Sequence, residues 1–288
     1  MPITRRLGPS VLCLLILLTA APAGLAAGPA DPVFLTFFDV GQGDALLIHQ
    51  PGRCAVLVDT GPPGSGRDIG TYLAEKGISR LDRLIISHPH QDHFGGVLGL
   101  PADLQIGEVL DNGIDNRLEK NYRSYRNWRA RHFSRDLRQG DVWQCGRILF
   151  TVLGPAQASS SAGVINDSSL INDSSLVLRV DIGPVGLLLP GDLEARGWQT
   201  LDVDPDHLDV EIFKVPHHGA ADSRLGDRLA DISPELSVIS AGRGNLIGAP
   251  DRRSLEVIRQ HSRQVWRTDL QGDLEIRIDD QGWHHVRQ

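Results

Sequence analysis

Cysteine is scarce. Three occur in 288 residues, and none stands in a Cys-x-x-Cys or Cys-x-His pattern. That excludes thiolate-rich zinc sites and disulfide-dense scaffolds, which need clustered cysteines. Cys13 falls in the N-terminal leader; Cys54 and Cys145 could join in one disulfide in an exported chain, but their separation does not decide it. No Gly-x-Ser-x-Gly turn and no Ser-His-Asp or Cys-His arrangement is visible, so no covalent nucleophile competes for the chemistry. Long apolar runs are missing too. The run from Val11 to Leu18 is too short for a comfortable membrane span. Arg5 and Arg6 before it and the small residues Ala21 to Ala27 after it read as a secretory signal peptide over residues 1–27, or, uncleaved, an N-terminal anchor. Excess positive charge is lacking as well: the formal net charge is −7, and loss of the leader's two arginines takes it to −9. A nucleic-acid coat is thereby disfavoured, whereas a DNA-cutting enzyme, whose cleft charge is set locally, is not. Finally, no long polar linker divides the chain, so residues 28–288 are expected to form a single domain.

What is present is α/β in pattern. Strand-like runs are Val33–Phe38, Ala45–Ile48, Ala55–Val58, Leu84–Ile86, Ile148–Leu153, Leu176–Val180, Gly186–Leu189, Val210–Val215, Leu236–Ile239 and Leu274–Ile278. Helical patterns fall between several of them, at Ile69–Lys76 before Gly77 and at Leu255–His261 after Pro250-Asp251. Residues 165–170 and 171–176 repeat Ile-Asn-Asp-Ser-Ser-Leu letter for letter. The second copy runs straight into a strand, so Asn172 or Asp173 is the copy expected to reach a strand-end site.

Chemistry concentrates at strand ends. Leu84-Ile85-Ile86 leads into His88-Pro89-His90-Gln91-Asp92-His93, four potential metal ligands in six positions. Imidazole and carboxylate suit zinc, and equally iron or manganese. Leu187-Leu188-Leu189 ends at Asp192, and Ile212-Phe213-Lys214-Val215 ends at His217-His218. Ligands on strand ends converge at one edge of a sheet. Residues 117–138 carry eight Lys/Arg against two acids, with Tyr122, Tyr125, Trp128 and Phe133 interleaved. That segment reads either as a nucleic-acid track using Arg123, Arg126 and Arg129 or as a surface helix packing its aromatics inward.

Phe38-Asp39-Val40-Gly41-Gln42-Gly43-Asp44-Ala45, Val58-Asp59-Thr60-Gly61, the 88–93 loop with Gly95-Gly96, and Lys214-Val215-Pro216-His217-His218-Gly219 occur in this order. Together they resemble the metallo-β-lactamase superfamily, and within it the hydrolase domain of ComEC-type competence (DNA-uptake) proteins, without their membrane-spanning helices. The resemblance covers roughly residues 33–280 and implies a four-layer αββα metallo-β-lactamase sandwich holding two divalent metal ions, zinc or manganese. Carried over by position, His88 and His90 bind the first ion, Asp92 and His93 the second, and Asp192 bridges, with Asp59 orienting ligands from behind. Many members supply a third histidine to the first ion, but here no histidine lies between His132 and His207, and Asn172 or Asp173 takes that place. An oxygen donor there favours manganese over zinc. Relatives often read Gly-His-Pro where this chain has Gly248-Ala249-Pro250. One of His217 and His218 would then be the remaining ligand and the other a substrate contact, with His218 preferred as ligand.

The implied function is a metal-dependent hydrolase, foremost a phosphodiesterase or nuclease acting on DNA. Asp92 would orient water and shuttle its proton, and Lys214 or His217 would contact a phosphate oxygen. The alternatives are hydrolysis of a small ester, lactone, phosphorylcholine ester or β-lactam, and a non-catalytic binding protein with a degenerate site. The leader implies a periplasmic or secreted protein with no stable membrane partner once it is cleaved.

Overall fold

The computed structural model describes residues 31–155, 167–221 and 225–286. The leader and the first two residues of the first hexapeptide copy lie outside them.

Strands β1 (Val33–Phe37), β2 (Leu46–Gln50), β3 (Cys54–Val58), β4 (Arg80–Ile85), β5 (Gln105–Asp111) and β6 (Ser134–Asp136) build one sheet. The second holds β7 (Val142–Cys145), β8 (Ile148–Gly154), β9 (Val177–Ile182), β10 (Val185–Leu189), β11 (Ile212–Lys214), β12 (Leu236–Ile239) and β13 (Gln264–Arg267). The chain then returns to the first sheet as β14 (Leu274–Asp279) and β15 (Gly282–His285). The first sheet runs β15-β14-β1-β2-β3-β4-β5-β6 and the second β13-β12-β11-β10-β9-β8-β7. Helices are α1 (Ser65–Glu75), α2 (Gln91–Phe94), α3 (Tyr122–Arg129), α4 (Ser168–Asn172), α5 (Ala195–Thr200), α6 (Leu225–Ile232), α7 (Arg252–His261) and α8 (Thr268–Gln271).

Side-chain alternation builds the layers. Val33, Leu35 and Phe37 of β1, Leu46 and Ile48 of β2, and Leu187 and Leu189 of β10 point into the space between the sheets. Leu47 of β2 points outward, onto Ile69 and Leu73 of α1 and Phe94 of α2. Leu188 of β10 points outward, into the cluster holding Trp198 of α5, Leu229 of α6 and Ile258 of α7. Central strands are therefore covered on both faces and read as continuous apolar runs. The result is the expected four-layer αββα sandwich. No helix among the described residues is long and apolar enough to cross a membrane.

Strands β5, β6, β7, β13 and β15 were not expected. β5 carries Gly107 and Glu108, and a Cβ at Gly107 would stand 2.6 Å from the Asp82 carbonyl oxygen of the neighbouring strand. Close backbone approach, not an apolar pattern, defines that strand. β6 is a three-residue edge, and β15 (Gly-Trp-His-His) buries no residue completely. Helix α1 begins at Ser65, ahead of the expected Ile69, and Asp251 caps α7 by accepting from the Arg253 and Ser254 N–H groups.

Two facts position the site. β3, β4, β5 and β6 are mutually parallel, as are β10, β11, β12 and β13, so the loops leaving their C-terminal ends gather at one edge. At the opposite end, the first residue of β3 and the last of β7 are joined by a Cys54–Cys145 disulfide with a Cα–Cα distance of 5.5 Å. That bond pins one sheet to the other.

Candidate metal centre

The ligand loop follows β4 and enters the single turn of α2, which sets Asp92 and His93 side by side. The Asp39–Ala45 loop lies directly against it. Asp44 N–H donates to the Asp92 carbonyl at 3.2 Å, and a Cβ on Gly43 would stand 2.3 Å from that oxygen. Gly43, at φ 144°, is thus required by contact as well as by conformation. Thr60 N–H donates to the His93 carbonyl at 2.7 Å and clamps the loop from the β3 side.

Four histidines converge, each with its outer nitrogen tied down. His93 Nδ1 donates to Asp59 Oδ2 at 2.9 Å. Ser87 Oγ donates to the same Asp59 oxygen at 2.8 Å and accepts from His88 Nδ1 at 3.1 Å. His218 Nδ1 donates to the Ser240 carbonyl at 3.1 Å, and His90 Nε2 lies 3.3 Å from Ser168 Oγ. These bonds select the tautomers that leave His93 Nε2, His88 Nε2, His218 Nε2 and His90 Nδ1 facing inward, the usual arrangement behind a metal-binding imidazole. Asp59 thus holds two of the four rings from behind, directly or through Ser87.

The inward atoms meet around one carboxylate. Asp192 Oδ2 is 3.2 Å from His93 Nε2, 3.4 Å from His218 Nε2 and 3.9 Å from His88 Nε2. Asp92 Oδ2 is 3.2 Å from His218 Nε2, and His88 Nε2 is 3.0 Å from His90 Nδ1. Ligand atoms of Asp92, His93, Asp192 and His218 all lie within 4.8 Å of one another. Ligands about 2.0–2.2 Å from a shared ion have separations of this order. Asp192 Oδ1, His93 Nε2 and Asn172 Oδ1 are buried without a hydrogen-bond partner. Buried orphans are costly, and several around one point fit a cation. Asp92, His93, Asp192 and His218 therefore fit a divalent ion, and His88, 3.0 Å from His90 and 3.9 Å from Asp192, brings that histidine pair alongside as candidate ligands for a second.

The electrostatics agree. Burial opposes charge on His93, but Asp192, Asp59 and Asp92 outweigh it and hold the imidazole well above its usual range. Asp192 and Asp44 do the same to His218 against its burial. Burial and the neighbouring His93 push His88 well below its usual range, leaving it neutral. Burial would raise Asp192, yet His93 and His218 hold it well below the carboxylate range. The buried carboxylates draw positive charge onto the two histidines, a role that a divalent cation can take over.

Other expected residues fall differently. Lys214 was expected at a phosphate oxygen, but it is 5% exposed and turned inward, with Nζ 2.9 Å from Asp44 Oδ2 and 2.8 Å from its own neighbour's carbonyl, Val215 O. An isolated buried ammonium would be costly, so the pair forms and removes Lys214 from the open face. Asp44, which sequence reading placed only within a motif, thus anchors the centre. Burial would raise it, but Lys214 and His218 hold it at about 2. Asp173 does not reach the ligands; its Oδ1 accepts the N–H groups of Glu194 and Gly197 and fixes the start of α5. Asn172 does reach them, lying against His90. His217 sits at the rim, with Nδ1 3.3 Å from Glu194 Oε1, and both His217 and His218 are left-handed, at φ 48° and 56°. Such a pair is strained and persists only where the surroundings impose it. Glu194, Ser87 and Ser168 escaped sequence reading, since a lone acid or serine carries no pattern.

The basic helix α3 also differs from a nucleic-acid track. Tyr122 and Tyr125 are buried, Tyr125 stacks on Phe94 at 5.0 Å, and its hydroxyl donates to Asp111 at 2.7 Å. Arg129 pairs with Asp111 and Asp136, each at 2.8 Å, and Arg126 approaches Asp115 at 3.4 Å. Arg123 and Arg126 remain exposed. Arg129→Ala is expected to cost about 1–3 kcal/mol by leaving the Asp111 carboxylate without its cation, measured by denaturant unfolding. Arg123→Ala is expected to leave stability unchanged.

The Metallo-beta-lactamase superfamily profile matches residues 38–167. ComE operon protein 3 of Bacillus subtilis (strain 168) is 31% identical over 262 residues, covering 83% of this chain and 32% of that protein. Competence protein ComA of Neisseria gonorrhoeae is 30% identical over 252 residues, covering 87% of this chain and 33% of that protein. The chain spans about a third of the length of these curated relatives. Among solved structures, the metallo-beta-lactamase fold protein YhfI of Bacillus subtilis superposes with a TM-score of 0.51 at 14% identity, covering 83% of this chain and 96% of that one. The strand order, the histidine-aspartate loop at the sheet edge and these likenesses lead to one assignment: the chain carries a metallo-beta-lactamase superfamily domain.

Proposed function

We propose that the protein is a metal-dependent phosphodiesterase whose principal substrate is DNA. The observation that carries this reading is the Asp192 carboxylate, one oxygen of which lies 3.2 Å from His93, 3.4 Å from His218 and 3.9 Å from His88. When bound, a pair of divalent ions supplies a water of lowered proton affinity and takes up the negative charge that develops on a phosphoryl centre. Asp92, whose side chain is 32% exposed against 3% for Asp192, is the carboxylate at the open side, placed to hold a water and accept its proton. His217, 26% exposed against 1% for His218, is the histidine of the pair that a substrate oxygen can reach. Relatives named for competence support DNA as the substrate.

A second reading keeps the chemistry with a small phosphodiester, phosphorylcholine ester, lactone or β-lactam. The Asp111 and Asp136 carboxylates that occupy Arg129 favour it. A degenerate binding protein is disfavoured, because His218 Nε2 stands 3.2 Å from Asp92 and 3.4 Å from Asp192 and offers the nitrogen that Ala249 lacks. Export is supported by the Cys54–Cys145 bond, which belongs to oxidising compartments.

Cleavage of single- and double-stranded DNA with added manganese or zinc, beside Asp92→Ala, tests the proposal. Cutting that requires metal and falls at least about 10²-fold in the variant is expected. Bound metal without cutting would move the substrate to the small-ester class.

A further inference from the structure

Asn172 and Asp173 grip Glu194 from two directions. Asp173 takes its backbone N–H at 3.0 Å, and Asn172 Nδ2 donates to its Oε1 at 2.7 Å. A carboxamide has two ends of nearly equal size, and little in its shape chooses between them. A carboxylate can only accept, so Glu194 admits only the NH2 end of Asn172. The other end, Oδ1, is then turned away from Glu194, buried and without a partner, in a side chain that lies against His90. The same Glu194 oxygen faces His217 Nδ1 at 3.3 Å, so the rim histidine is held by the same atom.

We propose that Glu194 is a positioning residue that fixes the Asn172 carboxamide with its oxygen toward the ion shared by His88 and His90, and so makes that ion's surroundings oxygen-rich enough to favour manganese over zinc. The inference rests on the metal-centre reading above. It predicts that donor and acceptor can be exchanged. In Glu194→Gln the amide at 194 can present either end, so the orientation at 172 is no longer enforced. In Asn172→Asp two carboxylates face each other with no proton between them. In the double variant, the amide at 194 donates to the carboxylate at 172, and the bond is restored with its polarity reversed.

Manganese and zinc titrations of the unmodified protein, both single variants and the double variant decide the matter, with bound metal counted directly and free manganese followed by its magnetic resonance signal. The unmodified protein is expected to bind two ions. Each single variant is expected to lose about 10–100-fold in affinity for one of them, as is typical when a residue behind a ligand is changed. The ion held by Asp92, His93 and His218 should stay bound, which also shows that the variants are folded. The double variant should recover to within a few-fold, a coupling that independent charge effects would not produce. Unchanged binding of both ions by Glu194→Gln, or simple addition of the two losses in the double variant, would overturn the inference and leave the metal centre standing. No bound metal in the unmodified protein would instead overturn the metal-centre reading and this inference with it.

Discussion

Replacing Asp192 with Asn is expected to reduce hydrolysis by about 10³-fold or more and to leave fewer than two ions bound. The change is nearly isosteric, so it introduces no steric clash. What it removes is a buried negative charge that His93, His218 and His88 all face. One donor lost from a preorganised site costs about 10²–10³-fold; losing a carboxylate that both ions share disturbs their spacing and charge together. Two buried imidazoles held well above their usual range by this carboxylate also lose their main counter-charge. Metal counting beside a rate measurement checks the prediction. Two retained ions with a rate within tenfold of the unmodified protein would show that Asp192 is not the bridge.

Loss of the Cys54–Cys145 disulfide has the second large effect. Replacing both residues with Ser is expected to cost about 2–5 kcal/mol, because the bond closes a loop of 91 residues and restricts the unfolded chain. For a domain of this size each kcal/mol moves the melting temperature by roughly 2–4 °C, so a fall of about 4–20 °C is expected, with the same shift when the unmodified protein is heated with reductant. Metal content should be unchanged, since the bond lies at the end of β3 away from Asp59. A shift under 2 °C on reduction would show that the bond contributes little.

Much of this was legible before any coordinates because the chemistry sits in short loops after apolar strands. His88 to His93 are neighbours in sequence, and Asp192 and His218 each end a run that can only be a buried strand. The unread parts act across long separations. Glu194 reaches Asn172 over 22 positions, Ser168 reaches His90 over 78, and Lys214 finds Asp44 in a loop 170 residues earlier. No local pattern encodes such contacts. The arginines of α3 were misleading for the same reason. Their helical face is basic in sequence, but Asp111 ends β5 and Asp136 ends β6, and only the parallel pairing of those strands brings both acids to Arg129. Edge strands were missed because a strand buried on one side or neither has no apolar run to announce it.

The disulfide's place in the sandwich also bears on how the protein would come apart. The two sheets share a greasy interior but, among the described residues, exchange no ladder hydrogen bonds, so they resemble the boards of a book. Cys54 and Cys145 are its spine, and the ligands, drawn from the β4 loop on one board and the β10 and β11 loops on the other, are a clasp at the fore-edge. With either fastening intact the boards can only hinge about it; with both released they are free to slide.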